Sequence, residues 1–546
     1  MSDRMAGVRQ FPSGRPAVMG RNGMVTSAHY LASMAGARVL MDGGNAVDAV
    51  VATAATLNVV EPYMSGMGGD GLLSISLPGA SEPLVLDYSG AAPAAASATT
   101  LSAAETLAGP KAPLVPGALG GWLAALERYG SLPAKRVFAD AIRLAEEGAP
   151  VSFRNTEFIT LAAQTIRPGA NAAGTFLPNG APPRPGSVLR QPNLARTLRR
   201  VAEGGAELFY RGELGREIVG AVRAAGGLLT EADLAAFQVE WQQPLSISFH
   251  GYRVFVPPPP CAGFQMLQTL KMLETDDLPA LGHNSAAYLH LLLETIKLAE
   301  ADRIAYASRA DVEHRQLLDT AYARERRALV DAQRAAFGTG ERFNSPQTHD
   351  PAAVQPGRPT HEHTTHFAAI DRDGLAVNVT QSLGSPFGSG FMAGETGVLL
   401  NNFLHWTDLD LQSPNALAGG KKMENCMAPP QVYHDGRFLM TMGTPGSWGI
   451  PQTQAQAILN VLVWGMNVQE AIEAPRARHT AGRGISIEGR VLSSITDELA
   501  ALGHEVTRLP DYSWLVGGMH GIYRDPETAV LMGGADPRRD GYAVGW

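Results

Sequence analysis

Cysteine is almost missing from this chain. Cys261 and Cys426 are the only two in 546 residues, which excludes a disulfide framework and leaves too few thiols for a cysteine-built metal site. Long apolar runs are missing as well. No stretch of some 18 uninterrupted apolar residues suggests a membrane span, and the charged segment Met1–Pro16 is not followed by the apolar core of a secretory signal. A cytoplasmic location without membrane attachment is expected. There is no basic excess either: 44 Lys and Arg stand against 52 Asp and Glu, for a net charge of −8. Scattered cations on an acidic chain give no electrostatic footprint for nucleic acid.

What is present is a chain with 45% hydrophobic residues, enough for a large core. The length suits about three domains or one large α/β body. Apolar periodicity predicts helices over Ser27–Leu40 and Ala46–Val60, the second capped by Asn45 and apolar almost all round, therefore buried. A glycine-rich loop, Ser65–Gly71, leads to a strand at Leu72–Leu77, and Val115-Pro-Gly117 opens a helix reaching Tyr129. Further helices are expected at Leu194–Glu203, Leu214–Ala225, Ser285–Ser308 and Ala321–Phe337, with one strand at Ser246–Val256.

A polar, proline-rich linker fills residues 338–360, and the texture changes beyond it. Strands are expected at Thr365–Asp371, Leu375–Thr380, Val398–Asn401, Pro430–Tyr433, Phe438–Met442 and, interrupted by a turn, Ile522–Met532. Helices at Thr453–Trp464 and Ile495–Leu502 would cover them. This pattern suggests helices outside stacked sheets, one layered body whose sheets draw on both sides of the linker.

Three motifs invite specific chemistry. Gly66-Met-Gly-Gly-Asp-Gly71 has the glycine spacing of a dinucleotide loop, but a buried helix precedes it and a strand follows, the reverse of the order that chemistry needs. A tight structural turn is the better reading. His361, His363 and His366 do not share the helical face that H-E-x-x-H requires, and no metal or other cofactor is expected. Pro445-Gly446-Ser447-Trp448-Gly449 lacks the first glycine of a serine-hydrolase elbow, yet its sharp turn could aim successive N–H groups at an anion and so form an oxyanion hole.

The junction His363-Thr364-Thr365-His366 offers a fourth possibility. Cutting the 363/364 bond would place a hydroxyl nucleophile and a free α-amine, with pKa near ~8, on Thr364. The amine can then serve as the base that a weakly acidic hydroxyl needs.

Over nearly its whole length the chain resembles the gamma-glutamyltransferase family of N-terminal nucleophile hydrolases. The resemblance is carried by Met24–Ser33, Gly43-Gly-Asn-Ala-Val-Asp-Ala49, Val60–Gly69, Val115-Pro-Gly117 and Ala225–Leu234, then by Thr364-Thr-His366, Gly388-Ser-Gly390, Leu399-Leu-Asn-Asn402 and Ala535-Asp-Pro-Arg-Arg539. It implies a four-layered αββα sandwich of the α/β (α+β) class, made as an inactive precursor. Thr364 would attack the carbonyl of His363, leaving a large chain, 1–363, and a small chain, 364–546, as a heterodimer whose further pairing stays open. Thr364 would then form an acyl-enzyme from a small-molecule amide, resolved by water or an amine.

The resemblance also implies that Ser382 stands for a threonine that hydrogen-bonds the nucleophile, and that Gly446 and Ser447 stand on two glycines whose N–H groups hold the oxyanion. Asn402 would orient the cleft or support the fold. Departures from the family pattern gather in the acyl pocket. Ser89 and Ala91 occupy the two positions where relatives carry a carboxylate-binding arginine, and Gly384 replaces an asparagine. Phe403 and Trp406 replace a glutamine and an acid, Asn425 and Cys426 replace two substrate-binding serines, and Trp448 adds a ring. These changes imply an amidohydrolase with a remade, less charged acyl pocket, like the oxamate amidohydrolase or cephalosporin acylase branches. Two other readings remain at this stage: a true glutathione-hydrolysing transferase, and an uncleaved homologue without activity.

Overall fold

A computed structural model describes residues 13–336 and 363–546. Two seven-stranded antiparallel sheets form its centre. The first runs, edge to edge, through Val18–Gly20, Leu531–Ala535, His520–Arg524, Arg437–Gly443, Gln431–His434, Tyr252–Val256 and Leu245–Phe249. The second runs through Tyr542–Gly545, Gly23–Ser27, His363–Asp371, Ala376–Gly384, Asp70–Ser76, Leu84–Asp87 and Glu240–Gln242. Both sheets draw strands from either side of the linker, as the sequence pattern suggested.

The sheets face one another. Met24, Ala368, Ile370 and Ala376 of the second sheet form one apolar cluster with Ile522 and Leu531 of the first. Polar groups in the same interlayer are paired: Gln431 Nε2 donates to Asn378 Oδ1 at 3.0 Å, and Tyr433 donates its hydroxyl proton to Ser76 Oγ at 2.7 Å. Buried polar groups without such partners would cost about 1–3 kcal/mol each.

Helices cover both outer faces, which completes an αββα stack. Ala46–Val60 is buried along its whole length, packed with Val25, Leu73, Ile75, Phe367 and Val377 of the second sheet. The expected Asn45 cap is present: its Oδ1 accepts from the N–H groups of Val47 and Asp48, and Asp48 returns a bond to the Asn45 N–H. Such a cap contributes about 1 kcal/mol. On the other face, Gly263–Leu273, Ala286–Tyr306 and Ile450–Leu462 share a core with Val254, Val432, Met440 and Met442.

Four sequence expectations need correction. Ser27 belongs to a strand, paired with Phe367 and Tyr542, and the helix begins only at Tyr30, capped by His29; the β-branched Val25 and Thr26 fit between two partner strands. Ser246–Val256 is a hairpin, Leu245–Phe249 and Tyr252–Val256, turned at His250 and Gly251, whose positive φ values make the reversal. Val398–Asn401 forms no strand beyond an isolated bridge between Met392 and Leu399; its backbone pairs with the adjoining turn residues Ser389, Phe391 and Ala393 and with Gly68, and the Asn401 side chain adds bonds from the Leu114 N–H at 2.9 Å and to the Gly68 carbonyl at 2.9 Å. The helix expected at Ala321–Phe337 is shorter, Thr320–Arg327, and Phe337 lies outside the described residues. Among the described residues no helix is long and apolar enough to cross a membrane.

Candidate active site

Thr364 sits near the start of the central strand His363–Asp371, buried between two neighbours of the second sheet. The strand pairing contains an irregularity here: His363 opposes Gly384, Thr365 opposes Gln381, and the register shifts between them. Thr364 alone therefore faces two residues, Ser382 and Leu383, of a bulge in the Ala376–Gly384 strand, a device that re-aims a side chain and loosens the local ladder.

Ser382 belongs to that bulge and faces Thr364. Its hydroxyl donates to the His363 carbonyl oxygen at 2.7 Å and accepts from the Gly384 N–H at 2.8 Å. In the uncut chain the hydroxyl thus lies on the carbonyl that Thr364 would attack. Gly384 has φ of 99°, and a Cβ there would fall 2.2 Å from Asn402 Oδ1, so a side chain at 384 would require Asn402 to move.

Arg539 holds the other side. Its Nη1 donates to the Thr364 carbonyl at 3.0 Å, and its aliphatic stem packs so closely on Gly518 that a Cβ there would lie 2.5 Å from Arg539 Cδ. The two residues before it fix the segment: Arg538 makes a two-pronged contact with Glu488, and Asp536 accepts from the Met519 N–H at 2.8 Å. The Arg538 and Arg476 guanidinium groups hold the buried Asp536 carboxyl well below its usual range. Glu61, at the end of the Ala46–Val60 helix, sits near Arg539 and Thr365; burial pushes its carboxyl up to about 7, opposed by the Arg539 charge and by Thr365.

The turn expected to form an oxyanion hole follows strand Arg437–Gly443. A Cβ on Gly443 would lie 2.1 Å from the His366 ring, so the turn packs directly on the Thr364 strand. Gly446 has φ of 139° and Ser447 φ of 54°, and among the described residues neither N–H is donated to another group. A serine in the left-handed region costs roughly 1 kcal/mol relative to glycine. Ser447→Gly is accordingly expected to raise stability by about 1 kcal/mol while keeping the N–H and hence the activity, readable as a higher Tm with unchanged kcat.

The remaining pocket candidates separate into two groups. Phe403, Trp406 and Trp448 form a contiguous aromatic face, with ring centroids 6.1 Å apart for the first pair and 5.5 Å for the second. The Arg303 guanidinium, ion-paired with Glu424, lies 3.8 Å from the centre of the Trp448 ring, a cation–π contact that no spacing rule in the sequence signals. The other candidates are engaged by the chain itself. Ser89 turns both its N–H and hydroxyl onto Asp87, whose second oxygen pairs with Lys422 at 2.8 Å. Asn402 spends its amide on the Leu107 carbonyl and the Ser385 hydroxyl, which makes fold support its visible part. Asn425 accepts from the Met427 N–H, and Cys426 is buried beside it.

The glycine-rich loop is a close-approach device, as its context implied. A Cβ on Gly69 would lie 2.2 Å from the Ser382 carbonyl and one on Gly68 2.0 Å from that of Leu399. The metal expectation meets one cluster among the described residues, His290, Glu294 and His504, away from Thr364 in sequence. It is already tied internally: His290 Nδ1 faces His504 Nε2 at 2.9 Å and Lys297 donates to Glu294 at 2.7 Å. His361 lies outside the described residues, His363 sits between Phe158 and Trp514, and His366 faces Thr380 Oγ1 at 2.9 Å.

Several buried imidazoles stay neutral for want of water. Burial lowers His29, His504 and His520 to about 3 and holds His366 far below its ordinary value. Because the folded values lie below the unfolded 6.5, their contribution is complete above pH ~6.5 and is lost as pH falls toward 3. Glu61 and Asp302, raised to about 7 and about 6, act oppositely, contributing below their unfolded values and losing that contribution as pH rises through them. Burial also raises the Asp70, Asp371, Glu424 and Asp540 carboxyls, so the two sets of groups oppose one another as pH falls below 6.5.

A model of the family described as Gamma-glutamyltranspeptidase matches residues 32–546. The chain belongs to this family. Its relatives include an acylase proenzyme (Acylase ACY 1) of Pseudomonas sp. strain V22, 36% identical, with 98% of this chain and 96% of the relative aligned. A glutathione hydrolase-like proenzyme, YwrD, of Bacillus subtilis is also 36% identical, over 97% of this chain and 99% of its own. Among solved structures, a cephalosporin acylase from Bacillus halodurans superposes with a TM-score of 0.89 at 33% identity, covering 99% of this chain and 98% of that one. The fold is thus that of the family's N-terminal nucleophile hydrolases, and these similar proteins are named as amide-cleaving enzymes, two of them as proenzymes.

Proposed function

We propose that this protein is a self-cleaving amidohydrolase that uses Thr364 twice, first on its own chain and then on an amide whose acyl group is not a free gamma-glutamyl. In the first step Thr364 Oγ adds to the His363 carbonyl carbon, the C–N bond breaks with a proton passing to the Thr364 nitrogen, and an ester replaces the amide. Water hydrolyses the ester, giving a His363 carboxylate and a Thr364 with free hydroxyl and free amine. In the second step that amine takes the hydroxyl proton as Oγ attacks a substrate amide, the amine product leaves, and water resolves the acyl-enzyme.

The observation that carries this reading is the contact between Ser382 Oγ and the His363 carbonyl. A hydroxyl aimed at that one carbonyl, from a bulge facing the threonine, polarises the bond the reaction must break. The open N–H groups of Gly446 and Ser447 supply the matching oxyanion donors for external amides.

The acyl assignment rests on the aromatic face and on the pairing of Arg303 and Lys422 with acids. Arg303 is paired with Glu424, and Lys422 with Asp87 and Glu240, so neither is a free partner for an α-carboxylate. A bidentate arginine contact is among the strongest charge-assisted pairs, and its loss weakens a gamma-glutamyl group selectively. Hydrolysis of acyl anilides and oxamate is expected to exceed that of a gamma-glutamyl anilide in kcat/KM. The reverse order would favour the glutathione-hydrolysing reading, and an intact mass showing one uncut chain would favour the inactive homologue.

A further inference from the structure

We propose that the slot between Phe158 and Trp514, filled by the His363 ring in the uncut chain, becomes a subsite for a planar ring of the amide substrate once the 363/364 bond is cut. The proposal rests on the self-cleavage reading above.

The slot has the geometry of a ring receptor. The His363 ring meets Phe158 edge-on, with centroids 5.1 Å apart and planes at 82°, and lies more nearly parallel to Trp514, at 5.5 Å and 33°. One edge-on and one tilted wall, whose own centroids are 5.4 Å apart so that they meet in a corner, hold a flat π system better than a branched or saturated group, because both contacts use the ring quadrupole. The walls are themselves fixed. Phe158, in the helix Phe153–Ile166, stacks on Tyr63 at 4.9 Å, and touches Trp514 at 5.4 Å.

Both walls are also tied to the catalytic candidates. The Arg539 guanidinium carbon lies 5.8 Å from the centre of the Phe158 ring while its Nη1 holds the Thr364 carbonyl. Trp514 opens the short turn Trp514–Val516, and the next two residues pack on the oxyanion turn: a Cβ on Gly517 would lie 2.8 Å from the Pro445 carbonyl, and the Gly518 N–H donates to Thr444 Oγ1 at 3.1 Å. The occupant thus adjoins the nucleophile in sequence, Phe158 reaches it through Arg539, and Trp514 lies three and four residues before the glycines packed on the oxyanion turn.

Cleavage loosens the present occupant. His363 is the first residue of its strand, and a bulge separates its pairing with Gly384 from the rest of the ladder. Hydrolysis ends the chain at His363 and converts its carbonyl to a carboxylate. Keeping that charge buried at the Ser382 hydroxyl costs desolvation free energy, whereas moving the new terminus into water does not. Trp514 is half-buried and Leu515 beside it is 37% exposed, so the vacated slot opens to solvent.

The test begins with the intact mass of the purified wild type, since an uncut 363/364 bond would remove this proposal together with the reading beneath it. On cut enzyme, KM and kcat are compared for matched amides with a phenyl or cyclohexyl group, placed on the acyl side in one pair and on the amine side in another. Trp514→Ala is expected to raise KM for a phenyl amide about 3- to 10-fold with kcat within twofold, to leave its cyclohexyl partner unchanged, and to be largely rescued in Trp514→Phe. The pair that responds shows which side of the substrate carries the ring. Equal changes for phenyl and cyclohexyl, or none, would overturn the subsite while leaving the self-cleavage reading intact. If Trp514→Ala is not cut, competition on cut wild type decides: benzamide inhibiting more tightly than cyclohexanecarboxamide supports the slot, and equal inhibition rejects it.

Discussion

Thr364→Ala should remain a single chain of 57.8 kDa and hydrolyse no amide, whereas the wild type should separate into residues 1–363 and 364–546. Two losses combine in this one substitution. Without the hydroxyl no N-to-O acyl shift can start, so the α-amine stays locked in a peptide bond and never becomes a base. Without the nucleophile no acyl-enzyme forms even if the chain were nicked. Removing the nucleophile of a hydrolase typically costs at least ~10⁴-fold, and here the second defect compounds it. Folding should be unaffected, because strand His363–Asp371 keeps its pairing with Gly23–Ser27 and Ala376–Gly384 and alanine tolerates the same backbone. An uncut but active Thr364→Ala would end the proposed mechanism.

Ser382→Ala carries the second largest expectation. The mutation removes the hydroxyl that lies 2.7 Å from the scissile carbonyl oxygen and leaves the Gly384 N–H without its acceptor. Loss of a preorganised donor at a developing oxyanion costs about 100- to 1000-fold in rate, so precursor accumulates and its half-time of conversion lengthens by that factor. Ser382→Thr restores the hydroxyl and should restore cleavage, which separates a chemical role from a packing one. A time course of precursor disappearance on denaturing gels measures both variants. Conversion of Ser382→Ala at the wild-type rate would show that the contact is structural only.

Much of the scaffold was legible in the sequence because its signals are local. Asn45 followed three residues later by Asp48, ahead of an unbroken apolar run, specifies a capped and buried helix without reference to anything distant. The Ala118–Tyr129 helix begins where Val115-Pro-Gly117 placed it. Failures came where tertiary partners override local preference. Ser27 reads as the start of a helix until two strands pair with it, and Val398–Asn401 reads as a strand whereas its backbone partners are the adjoining turn at 389–393 and the loop at Gly68.

The pocket divided in the same way. Motif order along the chain picked out Thr364, Ser382, Gly446 and Ser447, and the departures at Ser89, Phe403 and Trp406 were visible as missing charge. Ser89 folds back on Asp87 only two residues away, but that Lys422 pairs with that acid depends on segments 335 residues apart. No periodicity encodes such a contact.

By itself, the sequence determined the family, the alternation of helix and strand, and a threonine whose hydroxyl and future amine share one residue. Only the tertiary structure decided what surrounds that threonine: Ser382 on the carbonyl to be cut, Arg539 on its own carbonyl, and a ring slot walled by Phe158 and Trp514. The physical reason is range. Propensity, capping and patterning act within a few residues, whereas the site is assembled from facing sheets and their loops, where the close packing of distant segments fixes which donors meet which acceptors.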